Sequence, residues 1–110
     1  MRLTNSGVEL TLTYLEPTQN EDNSPLEDLH HTSIYYSLDA GITAVHVIDL
    51  PASLMTGGGE IAYVFSVPVA PGQSVDMLIW ATATDASDNT SAPSEKLIMH
   101  IDRIAPKPPF

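Results

Sequence analysis

The 110-residue chain contains no cysteine, which excludes a disulfide framework and any thiolate-based metal or redox chemistry. Basic residues are scarce: only Arg2, Lys96, Arg103 and Lys107 stand against 14 acidic ones, for a net charge of −10. That balance repels phosphate backbones, so nucleic acid is not an expected partner. No apolar run approaches the roughly 20 residues needed to cross a bilayer as a helix. Met1 to Gly7 hold no apolar stretch of the kind that marks a signal peptide. The expectation is a chain made and kept in a cytoplasm, with no membrane contact. Helical periodicity is missing as well, since nowhere do apolar residues recur at helical spacing over a useful window.

What is present is a β rhythm. Hydrophobic residues make up 43% of the chain, ordinary for one globular domain. A domain of this size buries roughly two thirds of the surface that its unfolded chain would expose. Val8, Leu10, Leu12 and Tyr14 alternate with Glu9, Thr11 and Thr13, and Pro17 ends that strand. Thr18 to Asp28 read as a polar, acidic loop. A second strand runs from about Thr32 to Leu38, and Asp39-Ala40-Gly41 is a turn before a β-branched run from Thr43 to Leu50. Thr56-Gly57-Gly58-Gly59 reads as a flexible break, and Ile61, Tyr63, Phe65 and Val67 as another alternating face.

Residues 75–101 carry the clearest pattern. Met77, Ile79, Ala81 and Ala83 share one face of a strand, and Leu78, Trp80, Thr82 and Thr84 share the other. Asp85, Ser87, Asp88, Asn89 and Ser91 supply turn-forming side chains, closed by Ala92-Pro93-Ser94. Alternation then resumes, with Leu97, Met99 and Ile101 on one side and Ile98 and His100 on the other. Five to seven short strands separated by turns point to an all-β, two-sheet antiparallel sandwich of immunoglobulin-like type. The expected organisation is an N-terminal segment at 1–7, a sandwich at 8–102 and a proline-rich tail at 103–110. That tail, with Pro106, Pro108, Pro109 and Phe110, should be extended and polyproline-like.

Candidate sites are weak. His30-His31, His46 and His100 have no metal-ligand spacing, and neighbouring histidines on a strand should point to opposite faces. Glu21, Asp22, Glu27 and Asp28 match no calcium loop, nor do Asp85 and Asp88; turn formation accounts for them, and calcium is not expected. There is no G-x-S-x-G elbow, no phosphate loop leading into a helix and no zinc-hydrolase motif. No enzyme activity and no cofactor are expected.

Several short stretches fall in a familiar order: Tyr14, Glu16-Pro17-Thr18, Asn23-Ser24-Pro25-Leu26, Ile34-Tyr35-Tyr36, Ala83-Thr84-Asp85 and Ser91-Ala92-Pro93-Ser94. With them the chain, over roughly residues 8–101, resembles a fibronectin type III domain of the bacterial and bacteriophage kind. The resemblance implies a first strand drawn from the segment before Gly7. Shared parity along successive strands places Tyr14, Ile34, Tyr36, Phe65, Ile79 and Leu97 in a core between two sheets. Met77 stands where the family usually has a tyrosine that tethers side chain to backbone, so the turn around Pro71-Gly72 is expected to be unusual. Opposite parity projects Tyr35, Leu78, Trp80 and Ile98 from adjacent strands as a docking face, with Trp80 outside the folded core.

A domain of this sort resembles the small virion proteins of tailed bacteriophages. The implied role is a non-enzymatic structural subunit, made in the host cytoplasm and placed in the virion in many copies. It would decorate the capsid or sit at the neck, tail or tail tip, with other virion structural proteins as partners. The alternative is an extracellular adhesion or carbohydrate-binding module acting through its loops.

Overall fold

The computed structural model describes residues 1–109, and their regular elements are β-strands alone. These are β1 (Arg2–Ser6), β2 (Glu9–Leu15), β3 (Leu29–Ser37), β4 (Val45–Pro51), β5 (Glu60–Ser66), β6 (Ser74–Asp85) and β7 (Leu97–Asp102). One sheet has the order β1-β2-β5 and the other β4-β3-β6-β7, with every pairing antiparallel. The protein is therefore the two-sheet β-sandwich that the alternation predicts. The 1–7 segment supplies β1, as the resemblance requires. Phe110 lies outside the described residues.

Leu10, Leu12, Ile34, Met77, Ile79 and Ile101 are fully buried between the sheets, and Tyr14 nearly so. Ile79 is inside and Leu78 half-buried on the other side, so the strand register matches the parity of the sequence. Tyr36, Phe65 and Leu97 depart from their expected place in the centre: they are only partly buried, packing against the core clusters from their margins. Val8 departs too: it is 56% exposed, because Gly7 (φ 61°) and Val8 form the two-residue turn between Ser6 and Glu9.

Two turns at the same pole are fastened by side chains. After β3, the buried Ser37 hydroxyl accepts from the Gly41 N–H (2.9 Å) and donates to Asp39 Oδ1 (2.6 Å). The Thr43 N–H reaches that carboxyl at 2.8 Å. The Ser37 hydroxyl and the Thr43 donors lower the Asp39 pKa from 3.8 to about 2. Hydrogen bonds to Ser24, Ser33 and Asn89 lower Asp22, Asp49 and Asp85 in the same sense. A carboxyl whose pKa falls on folding adds stability above its unfolded pKa, and that stability is lost as pH drops through the folded value. Stability should therefore decline as pH falls from 3.8 toward about 2. In Asp39→Asn the decline should be visibly shallower in urea unfolding followed across that range; a superimposable curve would remove Asp39 from the account.

The second turn, Val67 to Gln73, is fastened by Arg103. Its guanidinium donates to the Val69 carbonyl at 2.7 Å, and its backbone pairs with Gly72 and Gln73.

Candidate functional site

Two regions are candidates: the outer face of the four-stranded sheet and the loops at the pole where β6 ends. On the face, the four residues singled out from parity do come together. Tyr35 pairs with Trp80 and Leu78 with Ile98 across the ladders. His46, Tyr35, Trp80 and Lys96 form a row across the sheet. The Tyr35 ring stands edge-on to His46 (5.3 Å) and stacks on Trp80 (6.0 Å, 14° between planes). The Lys96 ammonium lies over the indole, 4.7 Å from its centre.

This row corrects the expectation for Trp80. Flanked by Tyr35 and Lys96 within its own chain, it is only 7% exposed and offers little surface to a partner. Ile98 is 71% exposed, and Tyr35 and Leu78 are half-buried. Ile42, in the turn after β3, is 87% exposed, and its neighbour Gly41 backs onto Leu78. Sequence reasoning misses Ile42 because an isoleucine in a turn has no alternation to mark it. Pro106, Pro108 and Pro109 are exposed on the tail.

At the other pole, the loop from Pro17 to Asp28 is more ordered than its polar composition suggests. Asn20 and Ser24 close a small turn, Gln19 bridges Pro25, and Leu26 is buried beneath. The Ala86 N–H bonds the Asp28 carbonyl (2.9 Å), and Ala92 N–H reaches Glu21 Oε2 (3.4 Å), so this loop meets the 85–91 turn. Between them lies a cleft of about 720 Å3, floored by Leu26 and Leu29 and lined by Glu21, Asp22, Asp28 and Asp85. A narrower cleft of about 290 Å3 adjoins it, and the two share Pro17, Ala83 and Ser91. Tyr14 and Thr32 both line that second cleft; burial raises the Tyr14 phenol pKa, and a hydrogen bond with the buried Thr32 side chain works against it.

The carboxylates serve the loops. Asp22 accepts from Ser24, and Asp85 from Ser87 and Asn89. Among the described residues no three His, Cys, Asp or Glu side chains are grouped to hold a metal ion. His30 and His31 do not diverge as expected: the β3–β6 register slips between Leu29 and His31, and their Nδ1 atoms stand 2.7 Å apart. His46 and His100 each pair with an aspartate at 2.7 Å, Asp49 and Asp76 respectively.

Beside the clefts sits a latch that alternation could not reveal. Glu16, only 3% exposed, takes the Ser53 N–H (2.9 Å), the Ser53 hydroxyl and the Gly59 N–H (3.2 Å) on its carboxyl group. Its backbone pairs with Gly58 and Gly59. The glycine run, expected to be a flexible break, is thus pinned against Glu16, the residue that follows β2. Glu16→Ala should destabilise the fold by about 1.5–3 kcal/mol, the range for losing hydrogen bonds to a charged group. Urea unfolding measures this, and a change under about 0.5 kcal/mol, the size of an ordinary surface substitution, would rule the latch out.

The class defined by fold and site is a two-sheet antiparallel β-sandwich with an apolar corner on one sheet and a loop-built acidic cleft at one pole. Compared with protein-family models, curated proteins and solved structures, the chain matches none.

Proposed function

We propose that this protein is a non-enzymatic, fibronectin type III-like structural subunit of a bacteriophage virion, present in many copies. The fold supports the reading: β4 joins the sheet of β3 rather than that of β5, giving three strands against four. The observation that carries the structural role is the apolar corner of Ile42, Leu78 and Ile98, with Tyr35 beside it. Two of its side chains stand mostly in solvent, and an exposed apolar cluster on a small domain marks an interaction surface. Other virion structural proteins are the partners that this reading gives it, with Pro106, Pro108 and Pro109 as a second contact segment.

Ile98→Asp, with Ile42→Asp as its companion, should leave the fold intact and prevent incorporation into particles. Trp80→Ala is the contrasting control, expected to weaken folding because its indole is stacked within the monomer. Particle incorporation of the folded Asp variants at the wild-type level would refute docking through this corner. The polar loop cleft favours a second reading, an adhesion or carbohydrate-binding module acting through its loops. Specific retention of the chain on a glycan surface, lost on substituting cleft residues, would move the assignment there.

A further inference from the structure

The outer edge of a β-sheet presents unpaired backbone N–H and C=O groups, and three of the four edges here are blunted. β1 is only five residues long, begins with Arg2 and lies against β7 of the other sheet. β4 carries His46, Asp49 and Pro51, and its ladder with β3 is broken by a shift between Ile34 and Tyr35. β7 carries His100 and Asp102, with Lys96 just before it. β5 has none of these devices. Its ladder with β2 runs unbroken from Glu60 to Ser66, and Ile61 to Val67 contain no charge, proline or glycine. Such a segment on an open edge is a template for another strand.

The free edge has a definite pattern. Val67 N–H donates to the Val8 carbonyl (2.8 Å) and Glu16 N–H to the Gly59 carbonyl (2.9 Å), one at each end of the β2–β5 pair. Bonding alternates along an antiparallel pair, so Ile61, Tyr63 and Phe65 direct their backbone groups to β2. Glu60, Ala62, Val64 and Ser66 turn theirs outward, and all four residues are exposed. That row is self-complementary about Tyr63. Laid antiparallel on itself, it sets Glu60 opposite Ser66 and Ala62 opposite Val64 of the other copy, with about eight backbone hydrogen bonds. Val64, 51% exposed, gains an apolar neighbour, and the half-buried Tyr63, stacked on Phe65 at 5.8 Å, meets its own counterpart.

This self-complementary row and the placement of charge select a second copy as the occupant. At a net charge of −10, copies of the chain repel one another, so a contact between them needs a seam without facing carboxylates. Glu60 is the one charged residue of β5, and the pairing sets the two copies' Glu60 residues at opposite ends of the seam, roughly 20 Å apart at about 3.4 Å per residue. That separation exceeds the screening length of about 8 Å at physiological salt. We propose that β5 of one copy pairs antiparallel with β5 of a second, joining two three-stranded sheets into one continuous sheet. The contact is isologous and closes as a two-fold dimer. It does not rest on the virion reading, and it uses the sheet opposite the Ile42–Ile98 corner, so either can fail alone.

Sedimentation velocity of the full chain, up to about 1 mM, tests it. The wild type should dimerise. Val64→Pro removes an outward N–H but no bond to β2, and Ala62→Lys sets a charge in the middle of the seam; each should weaken dimerisation at least about tenfold. Ile98→Asp, in the other sheet, should leave it unchanged. Because the chain lacks cysteine, the register can be read directly: a mixture of Ala62→Cys and Val64→Cys should cross-link on oxidation, and neither variant alone should. A wild type that stays monomeric, a dimer that persists in Ala62→Lys or is lost in Ile98→Asp, or a cysteine mixture that does not cross-link overturns the proposal. If Val64→Pro fails to fold, Ala62→Lys and the cross-linking decide.

Discussion

Gly57→Ala is expected to destabilise the protein by about 2–5 kcal/mol, a large part of the 5–15 kcal/mol typical of a small domain. Two effects add. Gly57 has φ 68°, where an L-residue is strained by about 1–2 kcal/mol. It is also buried, and a methyl there would run into the Pro17 carbonyl, with Leu26 Cδ2 3.5 Å away. Backbone cannot step aside as a flexible side chain can, so Pro17 and the glycine run must part, at about 1–3 kcal/mol for overpacking. Gly72→Ala separates the effects: at φ 86° it carries the same backbone strain, but nothing lies within 4 Å of its would-be methyl. Chemical denaturation of both variants should place Gly57→Ala well below Gly72→Ala. Equal losses would mean that the close approach to Pro17 does not matter.

Ile79→Ala should cost about 2–5 kcal/mol. The side chain is fully buried and packs in one cluster with Leu12, Tyr14, Ile34 and Ala81, contributed by both sheets. Its removal leaves a cavity that two hydrogen-bonded sheets cannot collapse to fill. Ile98→Ala, on the opposite face of the same sheet and 71% exposed, should stay within about 0.5 kcal/mol of wild type. If the two variants unfolded alike, the assignment of inner and outer faces would be wrong.

The strands are legible in the sequence because alternation leaves a direct trace. Leu10, Leu12 and Tyr14, or Met77, Ile79 and Ala81, can satisfy only one face, and the structure buries that face. Depth is less legible than parity: Phe65 and Leu97 have inward parity but lie near the margins, where a half-turned side chain is still wetted. Trp80 shows the converse, an outward residue buried sideways by Tyr35 and Lys96, neighbours fixed by cross-strand register rather than by sequence spacing. Glu16 is opaque for a similar reason. Its partners Ser53 and Gly59 are 37 and 43 residues away, and no local pattern announces a buried carboxyl that holds a distant loop. The acidic loops meet at one pole, and the cleft between them depends on Leu26 and Leu29 beneath polar neighbours, which no local pattern reveals.

The outermost strands in sequence, β1 and β7, begin and end at opposite poles, each held along its whole length by one antiparallel partner. A pull applied between Met1 and Pro109 therefore acts along both strands, at right angles to the hydrogen bonds that hold them. Those bonds must yield together rather than open one at a time from an end. The Arg103 grip on Val69 lies at the point where tension from the tail would enter β7, so it resists before the ladder does. The four sheet edges are β1 and β5 in one sheet and β4 and β7 in the other, so a pull along the chain loads two of these edges in shear and leaves the other two unloaded.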